Sequence, residues 1–212
     1  FGWIMTSFLA RRRQDELRIN HLNRVLVSIR NVNQLIVREH NSENLLKKAC
    51  SLLTENRGYF STWILILDDK GKVNFFTGSN LGDEENRLKT IAASGKLPLC
   101  ARRALETPSV IAISEPSRDC PDCPALHGYN DHAAFCCQIS HDNHVYGVMT
   151  ATIARNSIDA AEERALFHEI AGDLGYALHS LEQEQRQKEM EHNLMQHQEW
   201  LATTLKSIGD AV

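Results

Sequence analysis

From Asp159 onward the chain keeps a helical period and does not stop. Leu166, Ile170, Leu174, Ala177, Leu178 and Leu181 form an apolar stripe at three- and four-residue spacing. The stretch EQEQRQKEMEHN (182–193) is then almost wholly polar, and the stripe resumes with Leu194, Leu201, Leu205 and Ile208. A helix of that composition buries too little apolar surface to fold alone. It needs a partner chain, as in a parallel coiled coil, or it spans solvent as a connector. Any fold for this chain must therefore send a long helix away from its own core.

The other end repeats the theme. Residues 14–40 read as one helix, with Leu17, Leu22, Val25, Leu26, Ile29, Val32, Leu35 and Ile36 along a seam close to heptad spacing. The chain breaks at His40-Asn41. Ser42 is the expected N-cap of a second helix, Glu43 adds favourable charge to its first turn, and Leu45, Leu46, Ala49, Leu52 and Leu53 form its apolar face. Gly58 stands where a C-cap glycine is expected.

Between the helical ends the period changes to that of strands. STWILIL (61–67) is β-branched and aromatic, Asp68 to Gly71 is a turn, and 72–77 returns as a strand. Residues 83–94 and 97–105 read as helices, with Pro98 in the first turn of the second. Strands follow at 109–113, 133–140 and 145–154, with Asp142-Asn143 as a turn and Gly147 marking a bulge or a close backbone approach. The expected class is α+β.

The loop CPDCPALHGYNDH (120–132) holds two cysteines at C-x-x-C spacing and two histidines. Four readings stay open. A zinc site would use Cys120 and Cys123, with His127, His132 or the distant Cys100 completing it. A redox pair would join Cys120 and Cys123. Noncovalent haem would take His127, His132, Cys120 or Cys123 as ligand; the covalent C-x-x-C-H motif fails because Pro124 follows Cys123. The fourth reading is an ordered lid built by Pro121, Pro124 and Gly128, with no cofactor. Cys136 and Cys137 point to opposite faces of a strand, so one buried and one exposed thiol are expected. Trp63, Phe75, Tyr129, Phe135 and Tyr146 are candidates for pocket or core aromatics, and His141 and His144 flank a turn where solvent is the expected partner.

Bulk properties remove several classes. A chain of 212 residues suits one domain with helical extensions, and a net charge of -4 leaves no electrostatic footprint for nucleic acid. Six cysteines are too few for a disulfide-stapled secreted scaffold. No G-x-x-x-x-G-K-[ST], H-E-x-x-H or G-x-S-x-G occurs. Phe167-His168-Glu169-Ile170 superficially resembles a kinase phosphoacceptor box but lacks its following proline, so His168 is expected to be a surface or packing residue. FGWIMTSFLA (1–10) followed by three arginines reads either as the cytoplasmic end of a membrane helix or as an ordinary basic helix start. Residues 1–10 alone are too short for a span, which takes about 20.

The order of elements, with VYGVMTATIA (145–154) and EERALFHEIAGDLGYALHSLE (162–182), resembles a GAF domain, the small-molecule sensing module of bacterial signalling proteins. The resemblance covers 20–185, leaving 1–19 as a juxtamembrane or linker helix start. WLATTLKSIGDAV (200–212) looks like the start of a PAS domain, so 186–212 is expected to be a coiled-coil linker leading into one. The resemblance implies an antiparallel sheet with flanking signalling helices. It also implies a homodimer through those helices, downstream PAS and kinase domains of the sensor histidine kinase type, and a cytoplasmic location, with or without an inner-membrane anchor upstream. A small ligand, metal or redox signal would be sensed at Cys100, Cys120, Cys123, His127, His132 and Tyr146, with Cys120, Cys123 and His127 as the metal set. No catalysis is expected of this chain. The alternatives are a dimerisation module with no ligand, or a fragment of a cyclic-dinucleotide signalling enzyme.

Overall fold

The computed structural model describes residues 2–55, 58–123, 132–158 and 160–209. Helix α1 (Gly2–Arg38) is followed by α2 (Ser42–Glu55). The cap of α2 is Asn41, whose Oδ1 accepts the backbone N–H of Asn44 at 2.9 Å. Ser42, expected to cap, is instead the first helical residue. The amide of Asn41 is short enough to reach back over the first turn, so the break at Asn41 both ends one helix and starts the next.

A hairpin of β1 (Ser61–Leu67) and β2 (Val73–Ser79) follows, then α3 (Glu84–Ala93) and α4 (Leu99–Glu106). Pro98 is the N-cap of α4, just outside the first turn, with extended backbone (φ -56, ψ 153). Strand β3 (Ile111–Ile113), the one-turn α5 (Pro116–Asp119), β4 (His132–His141), β5 (His144–Ala154) and α6 (Ala161–Gly209) complete the chain. The sheet is antiparallel with strand order β2-β1-β5-β4-β3, so β5 is its centre. This is an α+β fold.

Side chains alternate across the sheet and build two separate cores. On one face Ile64, Phe135, Cys137, Met149, Ala151 and Ile153 pack under α1, α2 and α6. Phe167 of α6 lies at the centre of that layer, 5.7 Å from Phe135 and 5.9 Å from Tyr59 between ring centroids. On the other face Trp63, Leu65, Ala134, Cys136 and Val148 pack under α3, α4 and the segment through α5. The first face carries the helices that leave the domain. The second carries a lid of short elements.

α1 is tied to the start of α6 by Arg18–Glu162 and His21–Glu163, each at 2.6 Å. Beyond the sheet, α6 continues with Met190, Leu194, Met195, Trp200 and Leu201 all exposed. No described helix is long and apolar enough to cross a membrane.

Burial pushes the thiols of Cys50 and Cys137 up to about 12 from an ordinary 9.0. It raises the Tyr59 hydroxyl as well. Each folded-state value lies above the unfolded one, so above pH 9 the folded protein holds protons that the unfolded chain releases. Stability is whole below pH 9 and falls as pH rises toward 12, by about 1.4 kcal/mol per pH unit for each thiol. Urea unfolding at pH 7.5 and pH 10.5 checks this, and Cys50→Ala should make the alkaline loss shallower.

Candidate functional site

The C-x-x-C segment is bound to α4 by the residue between its cysteines. Asp122 accepts the backbone N–H of Leu99 at 2.9 Å through Oδ1 and pairs with Arg102 at 2.8 Å through Oδ2. Pro98 has no side-chain donor or acceptor to cap α4, and Asp122 fills that role from a distant turn. The turn itself closes through Cys120 N–H to the Pro116 carbonyl and Cys123 N–H to the Cys120 carbonyl, both at 3.0 Å.

This arrangement brings Cys120 against the first turn of α4. The backbone N–H of Cys100 donates to Cys120 Sγ at 3.4 Å. The Cys100 thiol adjoins both Cys120 and Cys136, and Cys120 adjoins Cys123. Cys136 enters from β4, where it accepts the Thr150 hydroxyl at 3.2 Å. The four thiols thus form a run, Cys136–Cys100–Cys120–Cys123, supplied by α4, the α5 turn and β4. All four are buried and none is in a disulfide.

The run is electrostatically uneven. The Cys100 and Cys123 thiols, with the backbone N–H of Cys100, hold Cys120 well below the usual thiol range. The same contact with Cys120, and one with Cys136, pushes Cys100 well above it. Cys120, whose Sγ also lies 3.6 Å from Asp122 Oδ1, is therefore the more readily ionised thiol of the pair and Cys100 the one that keeps its proton. A thiolate is the nucleophile and the metal ligand of cysteine chemistry. Trp63, Thr150 and Cys136 stand side by side across β1, β5 and β4. The Trp63 Nε1–H is buried and finds no partner among the described residues.

The other sequence candidates fall elsewhere. His127 and Tyr129 lie outside the described residues. His132 begins β4 with its ring on Phe60, 3.9 Å between centroids. It is four residues from Cys136, roughly 13 Å along an extended strand. Tyr146 lies on the opposite face, with its hydroxyl 3.2 Å from His179 Nδ1 and 3.4 Å from Glu182 Oε2 of α6. His144 is exposed, as expected, with its ring on Tyr146, whereas His141 is partly buried against Tyr176 and His179 of α6.

Cys136 and Asp122 are the residues that sequence reasoning missed. The expectation of one exposed thiol in Cys136-Cys137 is wrong, because both are fully buried. The signal was present: Ala133 to Cys137 is a continuous apolar run, as expected of a strand covered on both faces. Cys137 Sγ lies 3.5 Å from His168 Nδ1 of α6. Adjacent residues of β4 therefore touch the thiol run on one face and α6 on the other. His168, expected at the surface or in packing, is an exposed residue that touches Cys137 through one ring nitrogen.

Compared by sequence, the chain matches no protein-family model and no curated protein. Solved structures do match. The GAF domain of a phosphoenolpyruvate-protein phosphotransferase from Coxiella burnetii superposes with a TM-score of 0.56 at 18% identity, over 76% of this chain and 96% of that one. The fold is that of a GAF domain. A methyl-accepting chemotaxis protein gives a TM-score of 0.51 at 15% identity, over 71% of this chain and 96% of that one. Free methionine-R-sulfoxide reductase from Neisseria meningitidis, in complex with its substrate, gives 0.53 at 14%, over 73% and 88%. The GAF fold thus serves both signalling proteins and an enzyme among these structures. In this chain it presents a thiol run on the lid face and the departing helix on the other.

Proposed function

We propose that this chain is the sensory domain of a signalling protein, that it receives a thiophilic signal at Cys100, Cys120, Cys123 and Cys136, and that it relays the signal through β4 to α6. The signal is an oxidant or a soft metal ion. The observation that carries this is the chain of pairwise contacts that links four buried thiols from three elements, with the next residue of β4 against α6. Of the cofactors the sequence leaves open, zinc suits the sulfur donors better than haem. The unclaimed Trp63 donor in the same layer supports a ligand on this face. The output lies in PAS and histidine-kinase domains beyond α6, and the chain pairs with a second copy along α1 and α6. The exposed apolar residues from Met190 to Leu201 support that pairing.

The test uses metal-free, fully reduced protein. Zinc at one equivalent, or diamide, which takes two electrons and two protons from a pair of thiols, is added in separate arms. Hydrogen exchange is then followed in α6. The expected result is zinc bound through thiolate or two lost thiols, with changed protection around Phe167 and His168, and loss of the thiol reaction and of the change around Phe167 and His168 in Cys120→Ser. Six unresponsive thiols, no bound zinc and unchanged exchange in α6 would overturn the reading.

A second reading is favoured by the same readily ionised thiol in a fold shared with a reductase: thiol-dependent reduction of a small sulfoxide. Dithiothreitol-driven conversion of free methionine-R-sulfoxide to methionine distinguishes it, with Cys120→Ser as the inactive control.

A further inference from the structure

The β4–β5 turn and α6 bring together a second set of donors, far in kind from the thiols. One nitrogen each of His141 and His179 and one carboxylate oxygen of Asp142 lie within 4.8 Å of one another. His141 Nε2 and Asp142 Oδ2 are 3.4 Å apart. Two donors bound tetrahedrally at 2.0–2.2 Å from one ion stand about 3.4 Å apart, so this pair is already spaced as ligands, with the third inside the 4.8 Å limit.

The set is held by the fold. Asp142 and Asn143 both have positive φ, 47° and 64°, the two-residue turn that matches the twist of a hairpin and fixes where Asp142 points. The His141 ring packs on Tyr176 and His179 at 5.3 and 5.0 Å between centroids. Gly175, one turn before His179, lets α6 lie directly on the backbone of Ser140, next to His141. The hydroxyl of Tyr146 donates to Glu182 and lies 3.2 Å from His179 Nδ1. With that proton committed to Glu182, Nδ1–H of His179 donates to Tyr146, and Nε2 keeps its lone pair. Metal-binding histidines are oriented in this way, by a partner on the other ring nitrogen.

We propose that His141, Asp142 and His179 form a binding site for a divalent transition cation of the zinc class, which fastens the β4–β5 turn to α6. Two imidazoles and a carboxylate suit such an ion and not calcium or magnesium. The Asp142 side chain is 78% exposed and that of His141 is 28% exposed, so a fourth position is open to water. Tyr146 and Glu182 are positioning residues. The site is independent of the thiol run: its ligands are nitrogen and oxygen, and it lies on the face of α6.

Cobalt(II) as the chloride separates the two sites, because thiolate ligands add a near-ultraviolet charge-transfer band that nitrogen and oxygen ligands do not. It is titrated into the full, metal-free chain carrying Cys100→Ser, Cys120→Ser, Cys123→Ser and Cys136→Ser, and into the unaltered chain. The expected result is one cobalt at this site in both proteins, with visible bands in the four-serine protein and thiolate charge transfer confined to the unaltered chain. His141→Ala or His179→Ala should weaken binding on the order of 100-fold, and Tyr146→Phe by about 10-fold. His192→Ala, on the exposed distal part of α6 and outside the set, should leave affinity unchanged. Zinc should raise the melting temperature of the four-serine protein but not of the four-serine protein carrying His179→Ala, and in a chelator the two should melt alike. No cobalt binding by the four-serine protein, or equal affinity in His179→Ala, would overturn the proposal. Should the four-serine protein not fold, the same comparison is made in Cys120→Ser alone.

Discussion

Replacing Gly147 by valine should destabilise the domain by about 3 kcal/mol or more, the largest loss expected from any single change in the sheet. Gly147 sits in β5, the central strand, paired with Ile66 on one side and Ile139 on the other. A Cβ built there overlaps the carbonyl oxygen of Leu65 and meets the Cα of Ile66. These are backbone atoms of a paired strand, so no side-chain rotation relieves the clash. β1 has to move away from β5, and its pairing with β2 moves with it. The adjoining register shift between Ile139 and Ser140 belongs to the same distortion. Urea unfolding monitored by circular dichroism checks the size of the effect. Loss below about 1 kcal/mol would mean that the approach of β1 to β5 is not set by the missing side chain.

Gly147 also shows what the sequence made legible. A glycine inside a run of β-branched and apolar residues called for a bulge or a close approach, and both are there. β1 was readable to the residue, because STWILIL has no helical alternative and Asp68 to Gly71 punctuates it. α5 was not readable, because Pro116–Asp119 is a single turn held by its packing under the lid and not by any periodic pattern. Of the candidate site, Cys120, Cys123 and Cys100 were legible as thiols. Their meeting was not, because it depends on Asp122 capping α4 from 23 residues away. Tyr146 was placed with the ligand on its residue type alone. The shift at Ile139/Ser140 and Gly147 changes the local register, and Tyr146 turns toward α6. The contact of His141 with α6 is not legible, because nothing in the local sequence announces that a helix more than thirty residues later crosses there.

That crossing sets the last expectation. Gly175→Val should lift α6 from the end of β4, at a cost of about 2–3 kcal/mol, whereas Gly172→Ala, one turn earlier on the same helix, should stabilise the domain by up to about 1 kcal/mol. The two glycines share a helix and differ in what a side chain would meet. At Gly172 a Cβ meets nothing within 4 Å. At Gly175 it overlaps the backbone oxygen, carbon and nitrogen of Ser140. Helix propensity alone would favour both substitutions, so opposite signs isolate the packing term. The consequence reaches the relay. Phe167 and His168 hold the start of α6 to Phe135 and Cys137, and the contact at Gly175 holds the next turns to Ser140. With that contact broken, a change imposed at Cys136 can still reach His168 through β4 but no longer travels along α6 past Tyr176. Hydrogen exchange should then show faster exchange of amides 174–182, with the exchange around Cys100 unchanged. Equal stability changes at the two glycines, or unchanged exchange in 174–182, would mean that α6 is positioned by its apolar stripe alone and that the relay does not depend on this contact.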